Sequence, residues 1–127
     1  LREEKSKFLK SIILIKGENM KFKPWDEDYW NSLNGSVLKY DKLEHFLTSL
    51  GVTSALLIIL SFFLTAEQSL LYATILNLLA GIGWEIFNGI VPWDRLHIEG
   101  FSWKDLLANI FGLILSYAVF GIYLRIF

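Results

Sequence analysis

The chain changes character near residue 45. Up to that point charged residues interrupt every apolar run, and beyond it three long apolar stretches follow one another. From Phe46 to Leu64 the sequence FLTSLGVTSALLIILSFFL carries no charge. A membrane helix needs about 20 mostly apolar residues to cross about 30 Å of hydrocarbon, and this run meets that length. A second run, from about Leu70 to Val91, is interrupted by Asn77, Glu85 and Asn88. A third, from about Leu106 to Phe127, has Asn109 near its start and Arg125 near its end. A soluble helix buries one stripe and shows the other to water, whereas LLIILSFFL and FGLILSYAVFGIYL are apolar all round. The pattern predicts an all-α membrane protein. Its three transmembrane helices, at about 43–64, 70–91 and 105–127, make up a domain over 41–127, preceded by a polar, partly interfacial segment at 1–40.

Within that N-terminal segment, FLKSIILIKG has the make-up of a short amphipathic stretch lying along a membrane surface. Its SIILI core is about half as long as the apolar region of a signal peptide, so no signal peptide is expected. FKPWDEDYW, residues 22–30, reads as an interfacial turn. Pro92 closes the second helix, since the ring cannot continue it. Trp25, Trp30, Trp93 and Trp103 suit the headgroup region, where amphipathic rings collect.

Composition supports the spans and adds an orientation. Apolar residues make up 54% of the chain and aromatics 16%, against about 45–50% apolar in soluble domains. Cysteine is absent, which excludes disulfides and thiolate ligands. A net charge of -1 gives no basic face of the kind nucleic acids require. Nine of the 12 Lys and Arg precede residue 46. With three spans, that region and the 92–104 linker lie on one side, which the positive-inside rule makes cytoplasmic in a bacterial-type inner membrane.

Residues three and four apart share a helix face. On that basis Asp41, His45, Thr48 and Ser49 group together in the first span; Asn77, Gly81, Glu85 and Asn88 in the second; Asp105, Asn109, Gly112 and Ser116 in the third. Glu85 sits about 9 Å inside the end of its helix, and Asn109 about 6 Å inside the start of the next. These depths predict a polar pocket of Asp41, His45, Glu85, Asn88, Asp105 and Asn109 near one membrane face. A carboxylate at membrane depth needs a partner, a proton or water. Glu85 has three candidate partners: His45, Arg95, or a divalent cation held with Asp41 and His45. Simpler roles exist for several of these groups. Asp41–Glu44 and Ser102–Asp105 fit helix-capping boxes, His45 can bond Asp41 one turn back, and His97 is expected to be exposed. Asn77 suits a bond between helices, and Gly112 with Ser116 suits close helix packing.

Two motifs carry a resemblance. DKLEHF (41–46) resembles the D-K-x-x-H-F start of VanZ-like membrane proteins, and SWKDLLANIFGLILS (102–116) is similar to their D-l-l-a-N-x-x-G segment. The acid-bearing GIGWEIFNG (81–89) followed by FSWKDLLAN (101–109) also resembles the YfiM-like group of small envelope proteins. The similarity covers about 60% of the chain. Asn88 stands where VanZ-like proteins have Gln, and Trp84 where the YfiM-like pattern has Lys. The resemblance implies a small integral membrane protein of the cell envelope; VanZ-like proteins are associated with teicoplanin resistance. No catalytic residue is assigned, because no nucleophile motif or HExxH is present. The expected function is non-catalytic binding of an ion or a polar lipid headgroup. Two alternatives remain. One is an accessory subunit docking a protein partner or a second copy of itself; the other is a metal-dependent hydrolase acting on a lipid-linked substrate, with Glu85 as base.

Overall fold

The computed structural model describes residues 1–17, 20–32, 38–91 and 99–127, with backbone alone for 10–17. Four helices follow in order: α1 (Arg2–Gly17), α2 (Tyr40–Ser61), α3 (Ala66–Ile90) and α4 (Trp103–Ile126). Among the described residues there is no strand, only the isolated bridges Phe22–Phe101 and Asn31–Leu38. α2, α3 and α4 are each long and apolar enough to cross a membrane. No more than 33% of any span's apolar stretch is buried within the bundle, and Phe62 and Phe63 stand 71% and 81% exposed in the α2–α3 turn. Water would not tolerate so much bare apolar surface, so the outside of the bundle faces lipid. The protein is an all-α membrane protein of three spans, as the apolar pattern predicts.

Each span begins with a different local device. α3 opens with a complete capping box: Thr65 Oγ1 accepts from the Gln68 N–H, and Gln68 Oε1 accepts from the Thr65 N–H. This starts α3 at Ala66, four residues before the long apolar run. α4 is capped by Ser102, whose hydroxyl accepts from the Asp105 N–H at 3.1 Å. The reciprocal half of the expected box is absent, because the Ser102 N–H donates to Glu85 instead. α2 departs from expectation altogether. Its cap position is Lys39, with extended backbone and no side-chain cap bond. Asp41 therefore lies inside the first turn, and the Asp41–Glu44 box does not form.

The bundle is closest between α2 and α4, with α3 packed against both. Gly112 makes that approach feasible: a Cβ there would sit 2.5 Å from the carbonyl oxygen of Phe46 and 2.9 Å from the Leu50 nitrogen. Toward the α2–α3 turn the core is apolar, built on Leu57, Ala73 and Phe120. Tyr117 and Thr74 join their hydroxyls beside it. A groove of about 460 Å³ opens there between Leu70, Leu71, Tyr117, Gly121 and Leu124. Halfway along, Asn77 donates to Ser49 at 2.8 Å and Thr53 at 2.7 Å, and Ser49 donates to the Asn109 carbonyl at 2.6 Å. Asn77 thus binds α3 to α2 and, through Ser49, to α4, as its position suggests.

The other end of the bundle is covered by residues 20–31. The Lys21 N–H donates to Gly89, the Phe101 N–H to Lys21, and the Lys23 N–H to Phe101. Gly100 turns the chain into this pairing with φ at +99°, a conformation that side chains other than glycine rarely adopt. After Pro24 the chain makes a tight turn, with the N–H groups of Glu27 and Asp28 both donating to the Pro24 carbonyl. The turn expected over 22–30 is therefore present. It exposes Trp25 and half-buries Trp30, while Asp28 points inward and is only 4% exposed. Trp103 is 52% exposed and stacks on Phe22. Trp93, Arg95 and His97 lie outside the described residues.

Candidate functional site

Under the covering segment, six residues close a ring of polar contacts. Lys42, from the first turn of α2, is fully buried. Its ammonium donates to Asp28 Oδ1 at 2.7 Å, to Asp41 Oδ2 at 3.2 Å, and to Asp105 Oδ1. The other oxygen of Asp105 lies 3.4 Å from His45 Nε2, and the same nitrogen lies 3.8 Å from Glu85 Oε1. Glu85 Oε2 accepts from the Ser102 N–H at 2.9 Å. Ser102 Oγ donates to Asp28 Oδ2 at 2.5 Å, which returns the path to its start. The ring thus joins the covering turn (Asp28), α2 (Lys42, His45), α3 (Glu85) and the N-terminal end of α4 (Ser102, Asp105).

The local sequence explains why these side chains meet. Lys42 and His45 are three apart on α2 and share a face. The close approach at Gly112 brings the start of α2 against α4. Ser102 is held by its role as a cap, which fixes both its hydroxyl and its N–H. Lys104, in the first turn of α4, fastens the cover from the other side. Its ammonium donates to the carbonyls of Trp25 at 2.8 Å and Asp28 at 2.5 Å, and lies 4.5 Å from the centre of the Trp25 ring. Such a cation over an indole face is an attractive contact in its own right.

Of the expected pocket residues, Asp41, His45, Glu85 and Asp105 come together. Asn109 sits a turn deeper, with its side chain against Gly81. Asn88 is buried at the end of α3, where its carbonyl accepts from the Gly100 N–H. The stripe on α2 is rotated from expectation. Lys42, Ser49, Thr53 and Leu57 are the buried positions, and Thr48 is exposed. The stripes on α3 and α4 are as predicted, with Gly81, Glu85 and Asn88 buried on one and Asp105, Gly112 and Ser116 on the other.

Lys42, Asp28 and Lys104 are the site residues that the sequence reading passed over. A signal for Lys42 existed, since it belongs to the quoted D-K-x-x-H motif and shares a face with His45. Asp28 gave no such signal: Asp26, Glu27 and Asp28 are adjacent acids, and only the Pro24 turn decides which of them points inward.

Among the described residues, two groups of side chains bring ligand atoms within 4.8 Å of one another: His45, Glu85 and Asp105; and Asp28, Asp41 and Asp105. The second already surrounds the Lys42 ammonium. In the first, Asp105 takes the place expected for Asp41, which is turned to Lys42 instead. Glu85 is 0% exposed, and its Oε1 has no hydrogen-bond partner among the described residues. A buried carboxylate oxygen is costly to leave unpaired. No family model, curated protein or solved structure matches this chain.

Proposed function

We propose that this is a small polytopic membrane protein of VanZ/YfiM-like type that binds a small cation, without catalysis, in the polar ring at one membrane face. The observation that carries the reading is the excess of carboxylates in a buried space. One ammonium, Lys42, serves Asp28, Asp41 and Asp105; Lys104 is engaged with backbone carbonyls, and Glu85 has beside it the His45 imidazole and, at longer range, the half-buried Lys23. Uncompensated charge away from water is expensive, and a bound cation offsets it. The close grouping of ligand atoms favours a small ion over a lipid headgroup. The family assignment rests on the order of the D-K-x-x-H, Glu and D-l-l-a-N motifs. The surplus of Lys and Arg before residue 46 favours a cytoplasmic position for the covered face, in a bacterial-type inner membrane.

The test is thermal unfolding of the tag-free protein in mild detergent, with a panel of monovalent and divalent cations and with lipids bearing cationic headgroups. A ligand that binds only the folded state adds about 2.7 kcal/mol at 100 times its Kd. At least one cation should raise the Tm in a saturable way, and Glu85→Gln should remove the response. Saturable stabilisation by a headgroup lipid alone, or by nothing in the panel, would overturn the small-cation reading.

A further inference from the structure

We infer that the ring is a divalent transition-metal site of zinc-like preference, with His45 Nε2, Glu85 Oε1 and Asp105 Oδ2 as its protein ligands. This rests on the cation-binding reading and specifies its ligand. Three observations converge on these atoms. First, the two separations from His45 fit. Ligands of a tetrahedral zinc ion, at bond lengths of about 2.0–2.1 Å, lie about 3.3 Å from one another; His45 Nε2 is 3.4 Å from Asp105 Oδ2 and 3.8 Å from Glu85 Oε1. Both separations exceed the usual 2.7–3.2 Å of a direct N–H···O bond.

Second, Glu85 Oε1 is a fully buried oxygen with no hydrogen-bond partner among the described residues, and it is aimed at that imidazole nitrogen. Third, the oxygens not offered to an ion are already engaged. Glu85 Oε2 accepts from the Ser102 N–H, and Asp105 Oδ1 accepts from Lys42. Hydrogen bonds of this kind orient a ligand and leave its other oxygen free for the metal.

The donor set also selects among ions. An imidazole with two carboxylates suits zinc and its neighbours, whereas calcium wants six to eight oxygens and magnesium a mostly hydrated octahedron. The neighbouring Asp28–Asp41–Asp105 group is all oxygen, but Lys42 supplies its cation. Three protein ligands leave one tetrahedral position open, for water or a further donor.

Cobalt(II) gives a direct readout, because a tetrahedral nitrogen–oxygen site absorbs strongly in the visible and an octahedral one does not. The tag-free protein in detergent is titrated with Co²⁺ and separately dialysed against Zn²⁺ for elemental analysis. The expected result is one equivalent of metal, tetrahedral Co²⁺ bands, and displacement of Co²⁺ by Zn²⁺. His45→Gln and Glu85→Gln, each checked for retained helicity, should weaken binding by about 100-fold or more, since even an outer hydrogen-bond partner is worth about 10–100-fold. Binding of Ca²⁺ or Mg²⁺ alone, or Co²⁺ binding indifferent to His45→Gln, would overturn the transition-metal assignment while leaving the cation reading intact. Failure of every cation to bind the folded protein would overturn both, and identify the ring as a closed ion-pair network with His45 as imidazolium.

Discussion

The two ends of the three-helix bundle are held by opposite means. Toward the α2–α3 turn, Leu57, Ala73 and Phe120 pack without charge, and the chain reverses through four residues. At the other end Asp28, Lys42, His45, Glu85, Ser102 and Asp105 hold the helices to one another and to the segment that covers them. In a bilayer apolar packing has no hydrophobic drive, because lipid tails are as apolar as leucine, so association depends on close fit and on polar contacts. The apolar end can therefore form a groove at Leu70, Tyr117 and Leu124 without much loss. The charged end cannot loosen without stranding a charge.

That contrast can be broken most directly at Lys42. Lys42→Met removes the ammonium that touches Asp28, Asp41 and Asp105 together. Breaking a buried ion pair from one side costs about 3–5 kcal/mol. The variant should lose most of its cooperative unfolding transition, read by circular dichroism in detergent. A Tm close to that of the parent protein would show that the charged end does not anchor the bundle.

The middle of the bundle comes next. Gly112→Val places a branched side chain where even a Cβ meets the Phe46 carbonyl at 2.5 Å. Overpacking of this kind costs about 1–3 kcal/mol. The same thermal scan should show a smaller loss than for Lys42→Met, and reversal of that order would place the tighter constraint in α2–α4 packing. Asn77→Leu gives up two bonds to α2, each worth about 0.6–1.7 kcal/mol in a membrane. It should lower the Tm modestly and leave metal titrations unchanged, so altered Co²⁺ binding in this variant would show that the polar layers act as one. The smallest effect is expected at the apolar end. Thr65→Ala removes one capping bond worth about 1 kcal/mol, and amide exchange should quicken in the first turn of α3 alone. Exchange that quickened near Glu85 as well would contradict the independence of the two ends.

How much of this was legible in the sequence follows from the range of the interactions involved. The spans were legible because lipid dictates composition over about twenty residues at a time. The buried faces of α3 and α4 were legible because Asn77, Gly81, Glu85 and Asn88, like Asp105, Asn109, Gly112 and Ser116, repeat at helical spacing. α2 was misjudged by one position. Asp41 and Lys42 are adjacent polar residues, and periodicity alone does not choose between them. Asp28 meets Lys42 across 14 residues and Ser102 across 74, a contact that no local pattern encodes. The capping box at Ser102 was half legible, for its second bond was taken by Glu85 from another helix.

The order of synthesis gives Lys42 one further meaning. Asp28 and Asp41 precede it along the chain, but Asp105 follows 63 residues later. A nascent α2 therefore carries a lysine whose full set of counter-charges does not exist until α4 has been made. α2 and α4 are bound to each other in time as well as in space, and the last acid to arrive completes the surroundings of Lys42.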